Sequence, residues 1–217
     1  LKRDEHLYFR AEMARHIELN YMALCGYQDA YMCTFGGLNY MDFRGKQFYR
    51  AFGDEPYATI EPIHPYVSEH PFILAHTGIK RSSGTVHVPI RERWLEGDRE
   101  VTRCYLRIAH LARMGKRAVL QNDWARLGQL MIENHEIQRD LGGSGPENDA
   151  LIQAALDGGA LGAKLAGAGG GGTIIALTHN PEQVIKAITE TGPHRILYPK
   201  PAPGVTITPL ETDEDMA

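Results

Sequence analysis

The sequence has no apolar run approaching the ~18 residues that a helix needs to cross a bilayer, so a membrane span is excluded. It opens on Leu1-Lys-Arg-Asp-Glu-His, which is charged and lacks the apolar segment of a secretory signal. Cysteine is scarce. The three present, Cys25, Cys33 and Cys104, have no metal-ligand spacing and cannot all pair within one chain. Free thiols in a reducing cytoplasm are the expectation. Positive charge is not in excess either: 23 Lys and Arg face 27 Asp and Glu, for a net charge of −4. With no basic run, that balance argues against a nucleic-acid surface.

The usual catalytic strings are also missing. His135-Glu136 is followed by Arg139 where H-E-x-x-H needs a second histidine, so the ten histidines predict no metal site. There is no G-x-S-x-G elbow and no G-x-x-x-x-G-K-[ST] loop. Repeats and low-complexity blocks are absent, and no feature of the sequence bears on oligomeric state.

Glycine, by contrast, is plentiful and concentrated. Gly162-Ala-Lys-Leu-Ala-Gly-Ala-Gly-Gly-Gly-Gly-Thr173 holds one cluster, Gly167 with Gly169, Gly170, Gly171 and Gly172 around Ala168. Such a run packs no core and is costly to order. It suits a place where backbone N–H groups come close to an anion. The string matches G-x-G-x-x-G, but a dinucleotide fingerprint follows a strand and opens a helix. Here helical spacing over Asn148–Ala160 precedes the glycines, and the β-type run Thr173–Thr178 follows. The expected order is helix, glycine loop, strand, which points to phosphate contact and away from NAD. A glycine hairpin without a ligand is the alternative.

Periodicity predicts helices over 4–24, 28–35, 90–115, 122–140, 148–160 and 181–191. Strands are expected at 38–43, 72–76, 173–178, 194–198 and 204–208, with short extended pieces between 44 and 70 and a frayed acidic tail from Glu211. The mixture lacks strict βαβ alternation, so the fold class is α+β. Asp29 stands at a helix start after Gly26, where free N–H groups favour a carboxylate in a catalytic role or as a cap. Lys80, Arg81, Ser82 and Ser83 follow a strand that ends at Thr77-Gly78, a set suited to phosphate or to a solvated loop. Lys164 offers another cation beside the glycines, or a solvent-exposed one.

Together these blocks resemble the GHMP kinases, the family of galactokinase, homoserine kinase, mevalonate kinase and phosphomevalonate kinase. Gly26-Tyr-Gln-Asp29-Ala-Tyr with Phe35-Gly-Gly-Leu-Asn-Tyr-Met-Asp-Phe43 is similar to the family's aspartate block and glycine-led strand. Phe72–Ser83 resembles the strand and polar loop that open its C-terminal domain, and Gly162–Thr173 its third motif. The Gln-Asp pair and the Phe-Gly-Gly pattern look most like the D-glycero-D-manno-heptose 7-phosphate kinase branch.

The resemblance implies an antiparallel, ferredoxin-like sheet packed with helices over 71–217, preceded over 1–70 by the tail of an N-terminal domain. It implies transfer of the γ-phosphoryl group of ATP, with Mg²⁺, to a hydroxyl of a small sugar or sugar phosphate. Asp29 would receive or orient the hydroxyl proton, Gly167–Gly172 would meet phosphate, and Arg81, Ser83 or Lys164 would contact substrate or phosphate. Galactokinase-, glucuronokinase- and mevalonate kinase-like activities, or a non-catalytic binding module, are the alternatives. Ala30 departs from the Gln or Asn that often follows the aspartate. The family's ATP-cradling P-x-x-x-G-L-G-S-S-A does not occur here, and with the leucine start this implies the C-terminal portion of a longer kinase, inactive by itself.

Overall fold

The computed structural model describes residues 5–21, 25–46, 53–79, 83–167 and 169–206. The chain divides into two units, one of residues 1–64 with 201–217, the other of residues 65–200.

In the first unit, helix α1 (Leu7–Tyr21) packs on helix α2 (Gln28–Phe35), and strands β1 (Asn39–Asp42) and β2 (Thr59–Pro62) form an antiparallel ribbon. Its core is aromatic: Tyr31, Ala11, Ala58 and Ile60 are buried with Tyr8, Tyr27, Phe35 and Phe43 around them. Burying tyrosine requires a partner for its hydroxyl. Tyr31 donates to the Glu12 carboxylate and accepts from the Ala58 N–H, while Tyr27 donates to Glu55 at 2.9 Å. Lys46, almost fully enclosed, answers both carboxylates, bonding Glu12 and lying 3.7 Å from Glu55.

Helix α2 stops where the sequence predicts, at Gly36-Gly37, because Gly36 turns to a φ of 64° that favours glycine. Residues 202–205 run against this end: Gly37 N–H donates to Ala202 O and Val205 N–H to Cys33 O. The strand expected at 204–208 is not formed over 204–206; an isolated bridge between Gly36 and Pro203 stands in its place, and 207–208 lie outside the described residues. Proline at 203 offers no N–H to a ladder, which limits the pairing to a single bridge.

The second unit is a four-stranded antiparallel sheet in the order β4-β5-β3-β6. Its strands are β3 (Phe72–His76), β4 (Gly162–Ala166), β5 (Thr173–Leu177) and β6 (Arg195–Leu197). The helices are α3 (Ser83–Leu95), α4 (Arg99–Leu120), α5 (Trp124–Asp140), α6 (Pro146–Asp157) and α7 (Pro181–Glu190). Sheet order and chain order together give the split βαβ arrangement of ferredoxin-like folds. The fold is α+β, as the sequence predicts.

Alternation sorts the sheet's two faces. Ile73, Ala75, Ala163, Ile174 and Ala176 face α6 and α7, where Leu151, Ile152, Ala155, Val184 and Ile188 close the core. On the opposite face α5 lies against β4. This approach is unusually close: a Cβ at Gly128 would strike the Leu161 carbonyl, and one at Gly162 would strike Gly128. Helix α4 covers α5 through Leu111, Ala118 and Leu130.

The helix expected over 90–115 is two helices. Gly97, at a φ of 81°, ends α3, and Asp98 starts α4 by accepting from Glu100 N–H at 2.8 Å and Val101 N–H at 3.3 Å. The expected helix at 122–140 is α5, and Asp123 caps it through the Arg126 N–H at 3.0 Å.

Candidate functional site

The glycine run is the turn of a hairpin. Gly162–Ala166, expected to belong to the loop, is strand β4, paired in register with β5 from Gly162↔Leu177 to Ala166↔Thr173. The order is therefore helix, strand, glycine loop, strand. Small residues and a lysine gave this stretch no β-branched signal, and its partner strand supplied the structure instead. The loop still leads into a strand, not the helix that a dinucleotide fingerprint opens.

Five glycines of the turn, Gly167 and Gly169 to Gly172, all sit at positive φ, from 67° to 126°. Side chains are excluded at Gly169 on space as well, since a Cβ there would run into the Gly143 carbonyl oxygen. The protein itself engages three of the loop's amides. Gly170 N–H donates to Gly143 O at 3.1 Å, Gly171 N–H to Asn148 Oδ1 at 2.7 Å, and Gly172 N–H to Thr77 Oγ1 at 3.0 Å. Thr77 N–H returns a bond to Gly172 O at 2.8 Å. Gly167 and Gly169 have no such internal N–H bond among the described residues.

The helix that supplies Asn148 also takes part in a polar group, with members from α5, the α5–α6 turn and β4. His135 Nε2 is 3.3 Å from Asp149 Oδ1, which also accepts from Ser144 Oγ at 2.5 Å. Burial lowers the His135 pKa, opposed by Asp149 and reinforced by Arg139 and Lys164. Lys164, on the α5 side of β4, donates to Leu165 O at 2.6 Å, and burial brings its pKa down to about 8. It is thus not the solvent-exposed lysine of the alternative reading. Buried polar atoms of His135 (Nδ1), Glu147 (Oε2) and Asn148 (Nδ2) have no hydrogen-bond partner among the described residues.

Asp29, in the first unit, is exposed in the first turn of α2. It is not the cap, because Tyr27 holds that position and makes no side-chain capping bond. The carboxylate has no hydrogen bond or ion pair among the described residues. Ser83 is the first residue of α3. Arg81 and Ala168 lie outside the described residues. Lys164 and the glycines share one hairpin. The sequence marked Thr77 as a strand end and His135 as part of an incomplete metal motif, and it gave Ser144, Asn148 and Asp149 no signal apart from the break at Gly142-Gly-Ser-Gly-Pro146 that precedes α6.

No helix among the described residues is long and apolar enough to cross a membrane. Nor do any three or more of their His, Cys, Asp and Glu side chains gather as a metal-holding group.

Residues 116–194 match the family model described as GHMP kinases C terminal. Glucuronokinase 1 of Arabidopsis thaliana is 30% identical over 169 residues, covering 74% of this chain and 43% of the relative. Mevalonate kinase of Saccharolobus solfataricus is 30% identical over 187 residues, covering 85% and 53%. Among solved structures, L. major mevalonate kinase in complex with R-mevalonate superimposes with a TM-score of 0.64 at 27% identity, over 80% of this chain and 50% of that one. The chain spans about half the length of the curated relatives it matches.

Proposed function

The chain carries the C-terminal domain of the GHMP kinases, homologous to glucuronokinases and mevalonate kinases, and on that premise we propose that it serves ATP-dependent phosphorylation of a small-molecule hydroxyl. The observation that carries this reading is the β4–β5 turn, five positive-φ glycines of which three have amides held by the protein itself. A phosphate can approach such a backbone more closely than any side-chain-bearing turn would allow.

The residues fit the group they are asked to meet. Gly167 and Gly169 present their amides toward phosphate, while Gly170 to Gly172 hold the turn in shape. Lys164 supplies positive charge to the same hairpin at pH values below about 8. Phosphoryl transfer relies on positioning and charge stabilisation more than on covalent help from the protein. When bound, ATP with Mg²⁺ supplies the phosphoryl group and neutralises its charge. Mg²⁺ takes one or two protein carboxylates and otherwise water and phosphate oxygens, so no dedicated cage is required. Asp29 accepts the proton of the acceptor hydroxyl, a role suited to its exposed and unengaged carboxylate. Arg81 and Ser83 are assigned to substrate or phosphate contact. Residues 1–70 are read as the tail of an N-terminal domain and 71–217 as the C-terminal domain. The site is read as acting in the cytoplasm.

Gln28-Asp29 and Phe35-Gly-Gly-Leu-Asn39 favour a sugar phosphate of the heptose 7-phosphate type as acceptor. A mevalonate-type acceptor is the second reading, favoured by the 187-residue match to an archaeal mevalonate kinase. The test is a phosphorylation assay of the full-length natural protein with ATP and Mg²⁺ against heptose 7-phosphate, glucuronate, galactose and mevalonate. The heptose phosphate is expected to be preferred, and Asp29→Asn to lower kcat by roughly 10²- to 10⁴-fold with nucleotide affinity retained. Failure to phosphorylate any acceptor would contradict the kinase reading. Near-normal turnover in the variant would remove Asp29 from the reaction.

A further inference from the structure

Asn148 is fully buried in the first turn of α6, and among the described residues only one end of its amide is used. An N–H can be received only by the oxygen, so the bond from Gly171 fixes the orientation of the side chain. The amide nitrogen is buried and has no hydrogen-bond partner among the described residues. For stability alone this is a poor bargain. Leucine has a similar volume, and with it the Gly171 N–H would be orphaned but the stranded Nδ2 would vanish, two effects of similar size and opposite sign. What leucine could not supply is the acceptor that fixes Gly171, the glycine whose φ of 126° lies furthest from the ordinary left-handed well.

The surroundings make Asn148 a rigid anchor. Ser144 donates to Asp149, and Asp149 contacts His135 of α5, so the start of α6 is tied to the neighbouring helix. Gly143, in the same α5–α6 turn, receives the Gly170 N–H. Two consecutive loop amides are thus held by the turn of residues 141–145 and the helix it starts. On the far side, Ile79 closes against Gly171, where a Cβ would lie 3.0 Å from its Cγ2.

We infer that Asn148 is a positioning residue for phosphoryl transfer: through the Gly171 N–H it sets the shape in which the glycine turn meets phosphate. This rests on the phosphate-binding reading of the turn proposed above.

The test compares the full-length natural protein with Asn148→Leu, Asn148→Ala and Asn148→Asp, in amide hydrogen exchange across 166–173 and in steady-state kinetics. Aspartate keeps an oxygen at the Gly171 N–H, whereas leucine keeps volume alone. The expected result is at least ten-fold faster exchange at Gly171 in the leucine variant, with protection in β4 and β5 unchanged. Its kcat is expected to fall ten-fold or more with the acceptor KM within two-fold, and aspartate to restore both exchange and kcat. If leucine prevents folding, the alanine variant is read in the same way. Unchanged exchange at Gly171, or faster exchange with unaltered kcat, would overturn the inference. If the wild-type protein phosphorylates no acceptor, the kinase reading fails on that result, and the exchange data alone decide whether Asn148 braces the turn.

Discussion

A lysine placed on the α5 side of β4, with a backbone carbonyl as its hydrogen-bond partner among the described residues, costs the fold something. Burial lowers the pKa of Lys164 from 10.5 to about 8. Below pH 8 both folded and unfolded chains bind the proton, and the folded state bears the whole cost of enclosing the charge. Between about pH 8 and 10.5 the unfolded chain binds more protons than the folded one, so stability rises with pH across that window. Lys164→Met is expected to be more stable than wild type at pH 7, by on the order of 3 kcal/mol at most. That advantage is expected to disappear by about pH 10.5. Urea unfolding at the two pH values checks this, and parallel pH profiles for the two proteins would show that the ammonium is not enclosed.

At the scale of the element, the hairpin turn separates backbone strain from crowding. Gly169 and Gly172 have nearly the same φ, 83° and 78°, yet a Cβ at Gly172 meets open space and one at Gly169 meets the Gly143 carbonyl. Gly172→Ala therefore costs the left-handed penalty alone, about 1–2 kcal/mol. Gly169→Ala adds overpacking of about 1–3 kcal/mol. Denaturant unfolding of the two variants measures the difference, and equal losses would mean that the α5–α6 turn yields freely.

How much was legible in the sequence depended on where the controlling contacts lie. Helix α2 and strand β3 were readable to the residue because glycines and a Thr-Gly pair end them locally. The break between α3 and α4 was marked by Gly97-Asp98, but the apolar spacing on either side ran continuously enough to hide it. Strand β4 exists because β5 pairs with it, and nothing in Gly-Ala-Lys-Leu-Ala announces a strand. The same holds for the site. Asp29 and the glycines were visible as a string, whereas Asn148, Thr77 and the His135–Asp149 contact join segments distant in sequence, which only folding brings together.

For the molecule as a whole, the α+β reading and the GHMP C-terminal domain give the glycine turn its meaning. Among the described residues, the first unit carries an exposed carboxylate without a hydrogen bond or ion pair, and the second a braced glycine turn beside a half-buried lysine. The turn emerges as less of an open cradle than the bare glycine string implies. Three of its amides are structural, and the proposed function assigns contact with phosphate to Gly167 and Gly169. The measurement that bears most directly on this is a titration of the full-length natural protein, labelled at glycine, with ATP and Mg²⁺ and separately with adenosine. The account predicts that the Gly167 and Gly169 amide resonances move with ATP and not with adenosine, while Gly170, Gly171 and Gly172 stay protected from exchange. Binding of ATP that leaves the Gly167 and Gly169 resonances where they were would contradict it.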